Sequence, residues 1–161
     1  MISKKIEKLL NDQMNFENES AFIYLAMSNF LRRSNLDGAS KWMLHQYKEE
    51  QGHARKIYDY LHENGCDVHI DGFKNPTNTY KDIEEVLNTA LKHEQLVTSK
   101  FVKIMDQAKS EKDYATESFI QWFILEQVEE EDNVQDLIDR FKLYPKAHLL
   151  LFDKDMGQRT E

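Results

Sequence analysis

Four glutamates and one histidine stand where a helical bundle would be expected to carry carbon side chains. At the alternating three- and four-residue spacing that lines a bundle core, a first stretch reads Ile6, Leu10, Gln13, Glu17, Ser20, Tyr24, Met27, Leu31. A second reads Ala39, Met43, Gln46, Glu50, His53, Ile57, Tyr60, Asn64. A third runs from Ile83 and Leu87 through Ala90, Glu94 and Val97 to Phe101, Ile104 and Ala108. A fourth runs from Ile120 and Phe123 through Gln127 and Glu130 to Val134, Leu137 and Phe141. Each stripe is apolar toward its ends and carries a glutamate near its middle. Helices of similar length have their middles at one level, so Glu17, Glu50, Glu94 and Glu130 should share a layer, with His53 and Gln127 one turn away.

Such a layer has only a few physical solutions. A buried carboxylate is costly unless it is paired, and none of the four stripes contains Lys or Arg. The acids either keep their protons and share hydrogen bonds, or they bind metal. Four negative charges match two divalent cations, and a histidine three residues after Glu50 favours metal. Hard oxygens with one imidazole nitrogen, and a lone cysteine (Cys66) at a helix end, suit Fe(II) or Mn(II) better than structural zinc. Two adjacent Fe(II) ions can give O2 two electrons in one step.

The elements that would hold this layer are long. Helical periodicity covers residues 3–33, 38–64, 82–109 and 114–142, and a short fifth helix is expected at 147–156. Asp37 and Asp113 are placed to cap the second and fourth helices, Gly65 to end the second, and Pro145 to stop the fourth. The linkers around residues 34–37 and 110–113 are short, so each flanking pair is an antiparallel hairpin. Residues 66–81 differ. A 28-residue helix is ~42 Å long, and sixteen extended residues reach ~53 Å. This linker can therefore run the length of the bundle and make the second and third helices parallel. The expected fold is all-α: one domain over residues 1–161, a four-helix bundle with one long crossover.

Composition narrows the function classes. The net charge of -8 disfavours nucleic acid as a partner, and the basic residues are scattered. No apolar run approaches the ~20 residues of a membrane span, and residues 1–5 do not open a signal peptide. A single cysteine points to a reducing cytoplasm.

The motifs Glu17, Glu50-Gln51-Gly52-His53, Glu94 and Glu126-Gln127-Val128-Glu129-Glu130 resemble the ligand set of bacterial non-haem ferritins, a likeness that spans nearly the whole chain. Ferritin-like bundles more generally carry Glu-x-x-His on two helices. Here Gln127-x-x-Glu130 replaces the second copy, which is similar to the non-haem branch. The resemblance implies that Glu17, Glu50 and His53 hold one iron, and that Glu50, Glu94 and Glu130 hold the other, with Gln127 beside the site. It implies a third iron site from Glu49, Glu126, Glu129 and Glu130, and Tyr24 as an electron donor. It further implies ferroxidase activity with O2 or H2O2, and ferric mineral stored inside a cage of 24 identical subunits. No haem is expected, because Gln51 stands where the haem-carrying branch has methionine.

Several residues read more plainly. Glu131 and Asp132 fit a solvated helix face, and Trp122 fits space-filling. By spacing alone Tyr24 is a packed core residue. His45, His62, His69, His93 and His148 fall off the stripes and read as surface or loop residues. The run Leu149–Phe152 is too apolar for a free helix; it suits packing against neighbouring subunits better than folding onto its own bundle. A di-iron peroxidase or oxygenase is the competing reading. Such peroxidases usually add a Cys-x-x-Cys iron domain, which one cysteine cannot supply.

Overall fold

A computed structural model describes residues 2–159. Met1, Thr160 and Glu161, the ends of the polar N-terminal stretch and the polar tail, lie outside them. The elements are α1 (Lys4–Arg33), α2 (Asp37–Glu63), α3 (Ile83–Glu111), α4 (Tyr114–Leu143), a 3-10 turn (Lys146–His148) and α5 (Leu149–Met156). Side-chain contacts give the directions. Tyr24 meets Glu94 and Phe16 meets Lys100, so α1 and α3 run antiparallel. Gln46 meets Glu130 and Tyr60 meets Thr116, so α2 and α4 do too. With α1–α2 and α3–α4 as hairpins, α2 and α3 are parallel, as the crossover length predicts.

Local chemistry sets most boundaries. Ser3, Asp82 and Asp113 cap α1, α3 and α4 by accepting from the N–H three residues on. Gly65, at φ 66°, ends α2, with Cys66 N–H donating to the Leu61 carbonyl. Lys112 takes the left-handed conformation that ends α3, which lets that helix run to Glu111 rather than stopping at 109. Asn35 does the same after α1.

The cap expected from Asp37 is not there. Asp37 is the first helical residue, and Leu36, at the N-cap, makes no side-chain cap. The carboxylate comes instead from Asp153 of α5, which accepts from Gly38 N–H (3.1 Å) and Ala39 N–H (2.8 Å). A negative group at a helix N-terminus also complements the helix dipole. This contact corrects the expectation for α5, which folds onto its own bundle. Phe152 and Met156 are buried in the core, while Leu150 and Leu151 stay exposed.

The crossover is held by two asparagines one turn apart on α1. Asn11 donates to the Asp67 carbonyl (2.9 Å) and accepts from His69 N–H (2.8 Å). Asn15 donates to the His69 carbonyl (2.8 Å) and accepts from Asp71 N–H (2.9 Å). The contacts fall on alternate residues, so the extended segment is paired much as a strand would be.

The interior is two hydrophobic cores stacked end to end. One contains Met27, Leu31, Met43, Leu87 and Leu137; the other contains Leu10, Ile57, Phe101, Ile120 and Phe123. Between them lies the polar layer. Among the described residues no helix is long and apolar enough to cross a membrane.

Candidate metal centre

Each helix delivers its glutamate by the same device, a core-facing position at mid-helix. Glu17, Glu50 and Glu94 are fully buried and Glu130 nearly so, and Gln13, Ser20, Gln46, His53 and Gln127 are buried with them. The layer is therefore real, but its members are not equivalent. Glu17, Glu50 and His53 bring one ligand atom each within 4.8 Å of one another. His53 Nδ1 lies 3.7 Å from Glu17 and 3.5 Å from Glu50. Glu94 faces them across the bundle, held by the Tyr24 hydroxyl and by Gln127 Nε2 (3.0 Å). Glu130 is turned toward Gln46, whose Nε2 donates to it at 2.7 Å.

Several of these atoms make no hydrogen bond, though His53 Nδ1 lies within ion-pair distance of Glu17 and Glu50. Glu17 Oε2, both carboxylate oxygens of Glu50, His53 Nδ1 and Gln127 Oε1 are buried without a hydrogen-bond partner. Buried polar atoms are almost always paired, so five in one layer mark a place built for something else. Oxygens and an imidazole nitrogen at this spacing are the donor set of a divalent cation.

The charges agree with that reading. Burial, reinforced by the charge of Glu17, pushes Glu50 well above the usual carboxylate range. Burial also raises Glu94, against the hydrogen bonds from Tyr24 and Gln127. Burial and the charges of Glu94 and Glu49 raise Glu130 to about 7. Glu17 is the exception. Burial opposes its ionisation, but the neighbouring His53, Glu50 and Gln13 outweigh that and hold it below its ordinary value. His53 is the counterpart: burial works against its charge, yet Glu17 and Glu50 raise it to about 11. Burial and the charges of Glu94 and Glu50 raise Tyr24 far above its ordinary value, so its hydroxyl remains a donor to Glu94.

The residues read as a third site are spread out. Glu49 and Glu126 are half-buried and Glu129 is exposed, and the charge of Glu49 bears on Glu130. Glu49 is ion-paired at 2.8 Å with Arg159, a residue of the tail that stripe reading passed over. Two other neighbours escaped it. Trp122 packs edge-on against His53, ring centroids 5.7 Å apart, and so walls the site. His93 is no surface residue. It sits half-buried between α1 and α3, its Nε2 2.7 Å from the Ser20 hydroxyl and its ring against Phe16 and Tyr24. Burial, assisted by Lys100 and opposed by Glu17, lowers it to about 4. Its place one residue before Glu94 was the available signal, because that position faces the α1 seam.

Comparison with known proteins gives the chain a family. The Ferritin-like domain family matches residues 7–144. A bacterial non-heme ferritin of Staphylococcus epidermidis is 39% identical over 162 residues, spanning 99% of this chain and 98% of its own length. A probable bacterial non-heme ferritin-like protein of Haemophilus influenzae is 37% identical over 159 residues, 98% of this chain and 96% of its own. Among solved structures, an open pore ferritin of the hyperthermophilic archaeon Archaeoglobus fulgidus superimposes with a TM-score of 0.96 at 34% identity, over 99% of this chain and 100% of that one. With the fold, the acid layer and these relatives in agreement, the chain belongs to the ferritin family, in its bacterial non-haem branch.

Proposed function

We propose that this ferritin stores iron by oxidising it first: each subunit takes up two Fe(II) ions in the glutamate layer, passes their electrons to O2 or H2O2, and delivers Fe(III) to a ferric oxyhydroxide mineral. The mineral would lie inside a cytoplasmic homo-oligomeric cage of 24 subunits. The observation that carries the reading is the set of buried oxygens on Glu17 and Glu50, with His53 Nδ1, that lack hydrogen-bond partners. Glu17, Glu50 and His53 would hold one ion, and Glu50, Glu94 and Glu130 the other, with Glu50 bridging. Two ferrous ions together supply the two electrons that take O2 to H2O2.

The chain's own groups do the rest. Burial favours the protonated forms of Glu50 and Glu94, and Glu17 and Glu50 favour charged His53, so ion binding in the layer displaces protons. Tyr24 fixes one oxygen of Glu94 and Gln127 the other, which aims that carboxylate before any ion arrives. The unpaired Gln127 Oε1 is left facing the layer as a further donor. Phe123 and Trp122 limit water around His53. Tyr24, one hydrogen bond from a ligand, is placed to supply an electron. Glu49, whose charge bears on Glu130, would together with Glu126 and Glu129 give departing iron a route. Gln51 donates to the Tyr47 hydroxyl and offers no thioether, so no haem is expected here.

The test is anaerobic Fe(II) loading of the assembled protein followed by O2. The parent should bind two ions per chain and form soluble ferric mineral. Glu50→Ala should slow the initial oxidation by at least about tenfold, with particle size unchanged. Oxidation by Glu50→Ala at the parent rate would refute the site.

A further inference from the structure

The tail beyond α5 brings a cation to the edge of a layer whose four stripes contain none. Gly157 crosses Gly38 so closely that a Cβ on Gly157 would lie 3.0 Å from the Gly38 Cα. With Asp153 bonded to Gly38 and Ala39, that crossing pins the tail two residues before Arg159. The Arg159 guanidinium lies over the Trp42 ring, 4.7 Å from its centroid. Its Nη2 donates to Glu49 Oε2 at 2.8 Å, and its Nη1 donates to Gln46 Oε1. A carbonyl turned toward the arginine leaves the Gln46 amide nitrogen facing Glu130, where it donates at 2.7 Å. One guanidinium thus occupies Glu49 directly and fixes Glu130 through a single amide. Glu17, Glu50 and His53 are outside this chain of contacts.

We propose that Arg159 is a tethered competitor of ferrous iron on the Glu49–Glu130 side of the layer: an ion bound there displaces the guanidinium, and the returning guanidinium expels the ion. This rests on the di-iron reading of the layer and adds a specificity-setting residue to it. A divalent ion and a guanidinium cannot share the Glu49 carboxylate without strong like-charge repulsion. Arginine keeps its charge at every working pH, so it is always available to return. A cavity of about 300 Å³ beside the guanidinium, walled by Trp42, Tyr47 and Met156, gives the displaced side chain room to move without leaving Trp42. Lys41 also lines that cavity, so like charge favours the return to Glu49. The result is a transit point for iron, where a plain acidic cluster would be a resting place.

The experiment is an anaerobic Fe(II) titration of the assembled protein by calorimetry, for the parent, Arg159→Gln, Arg159→Lys and Glu49→Gln/Arg159→Gln. Arg159→Gln should tighten the weaker ferrous step by about tenfold or more and leave the tighter step where it was. Arg159→Lys keeps the charge but not the two-pronged contact, and should fall between the parent and Arg159→Gln. The double variant should lose the gain, because the contested carboxylate is gone. An Arg159→Gln protein whose weaker step is unchanged or weakened overturns the proposal. A parent whose ferrous steps survive Glu50→Ala overturns the di-iron reading as well, and that result is read without any Arg159 variant.

Discussion

At the scale of single residues, the layer is a set of acids whose proton affinities differ because their neighbours differ. Glu50, Glu94 and Glu130 are raised, so folding favours their protonated forms. Such a group stabilises the fold below its unfolded value and ceases to do so as pH rises through its folded value. For Glu130 that window runs from 4.5 to about 7. His53, raised from 6.5 to about 11, loses its contribution in the same direction, over a higher window. Glu17, which is lowered, acts oppositely, but only below its ordinary value. The metal-free protein should therefore melt at a lower temperature at pH 8 than at pH 6, and Zn(II) loading should shrink the difference. A metal-free melting temperature that rose from pH 6 to pH 8 would contradict this. Fe(II) loading should also release more protons at pH 6.5 than at pH 8, where Glu130 has already lost its own; a pH-stat reads this directly. The positions of these acids were legible in the sequence because helical period alone places them. Their individual titration was not, because it depends on which carboxylate faces His53 and which faces Tyr24.

At the scale of elements, the join between α2 and α5 bears most on how the chain closes. Local rules pointed to Asp37 because it precedes an apolar helical run, and they cannot see a carboxylate 115 residues beyond Gly38 in the chain. Loss of an N-cap side chain costs about 1–2 kcal/mol, so Asp153→Ala should destabilise the chain by about that much in equilibrium denaturation. Gly38→Ala should cost more, since its Cβ would lie 1.8 Å from the Asp153 carbonyl oxygen, a backbone atom that cannot swing aside. If Gly38→Ala were as stable as the parent, α5 would not sit on α2 as described. The crossover shows the same limit of sequence reading. Its length announced the parallel arrangement of α2 and α3. The asparagine clasp did not show itself, because Asn11 and Asn15 look like ordinary polar positions on a helix. Asn11→Ala removes two contacts to the crossover, each worth about 1 kcal/mol. It should speed limited proteolysis between residues 66 and 81 while leaving far-UV helicity unchanged.

At the scale of the whole molecule, the four bundle stripes bury nearly all of their side chains, and the apolar residues of α5 divide between inside and outside. Phe152 and Met156 complete one hydrophobic core. Leu150 and Leu151, on the same two turns, are 71% and 56% exposed, and Leu143 just before them is 81% exposed. An apolar patch of this kind, fixed in place by Asp153 and Gly38, suits contact with a second copy of the chain. Sequence reading saw the apolar run but assigned all of it to neighbours, because period alone cannot divide four consecutive apolar residues between two partners. The division yields paired expectations. Leu150→Asp with Leu151→Asp should leave the subunit's helicity intact and shift the proposed cage to smaller species in light scattering. Phe152→Ala should instead destabilise the subunit itself, by about 3–5 kcal/mol as for other buried phenylalanines. If the double aspartate variant assembled like the parent, the exposed leucines would have no part in joining subunits, and the contacts that close the cage would have to lie on the flanks of α1 to α4.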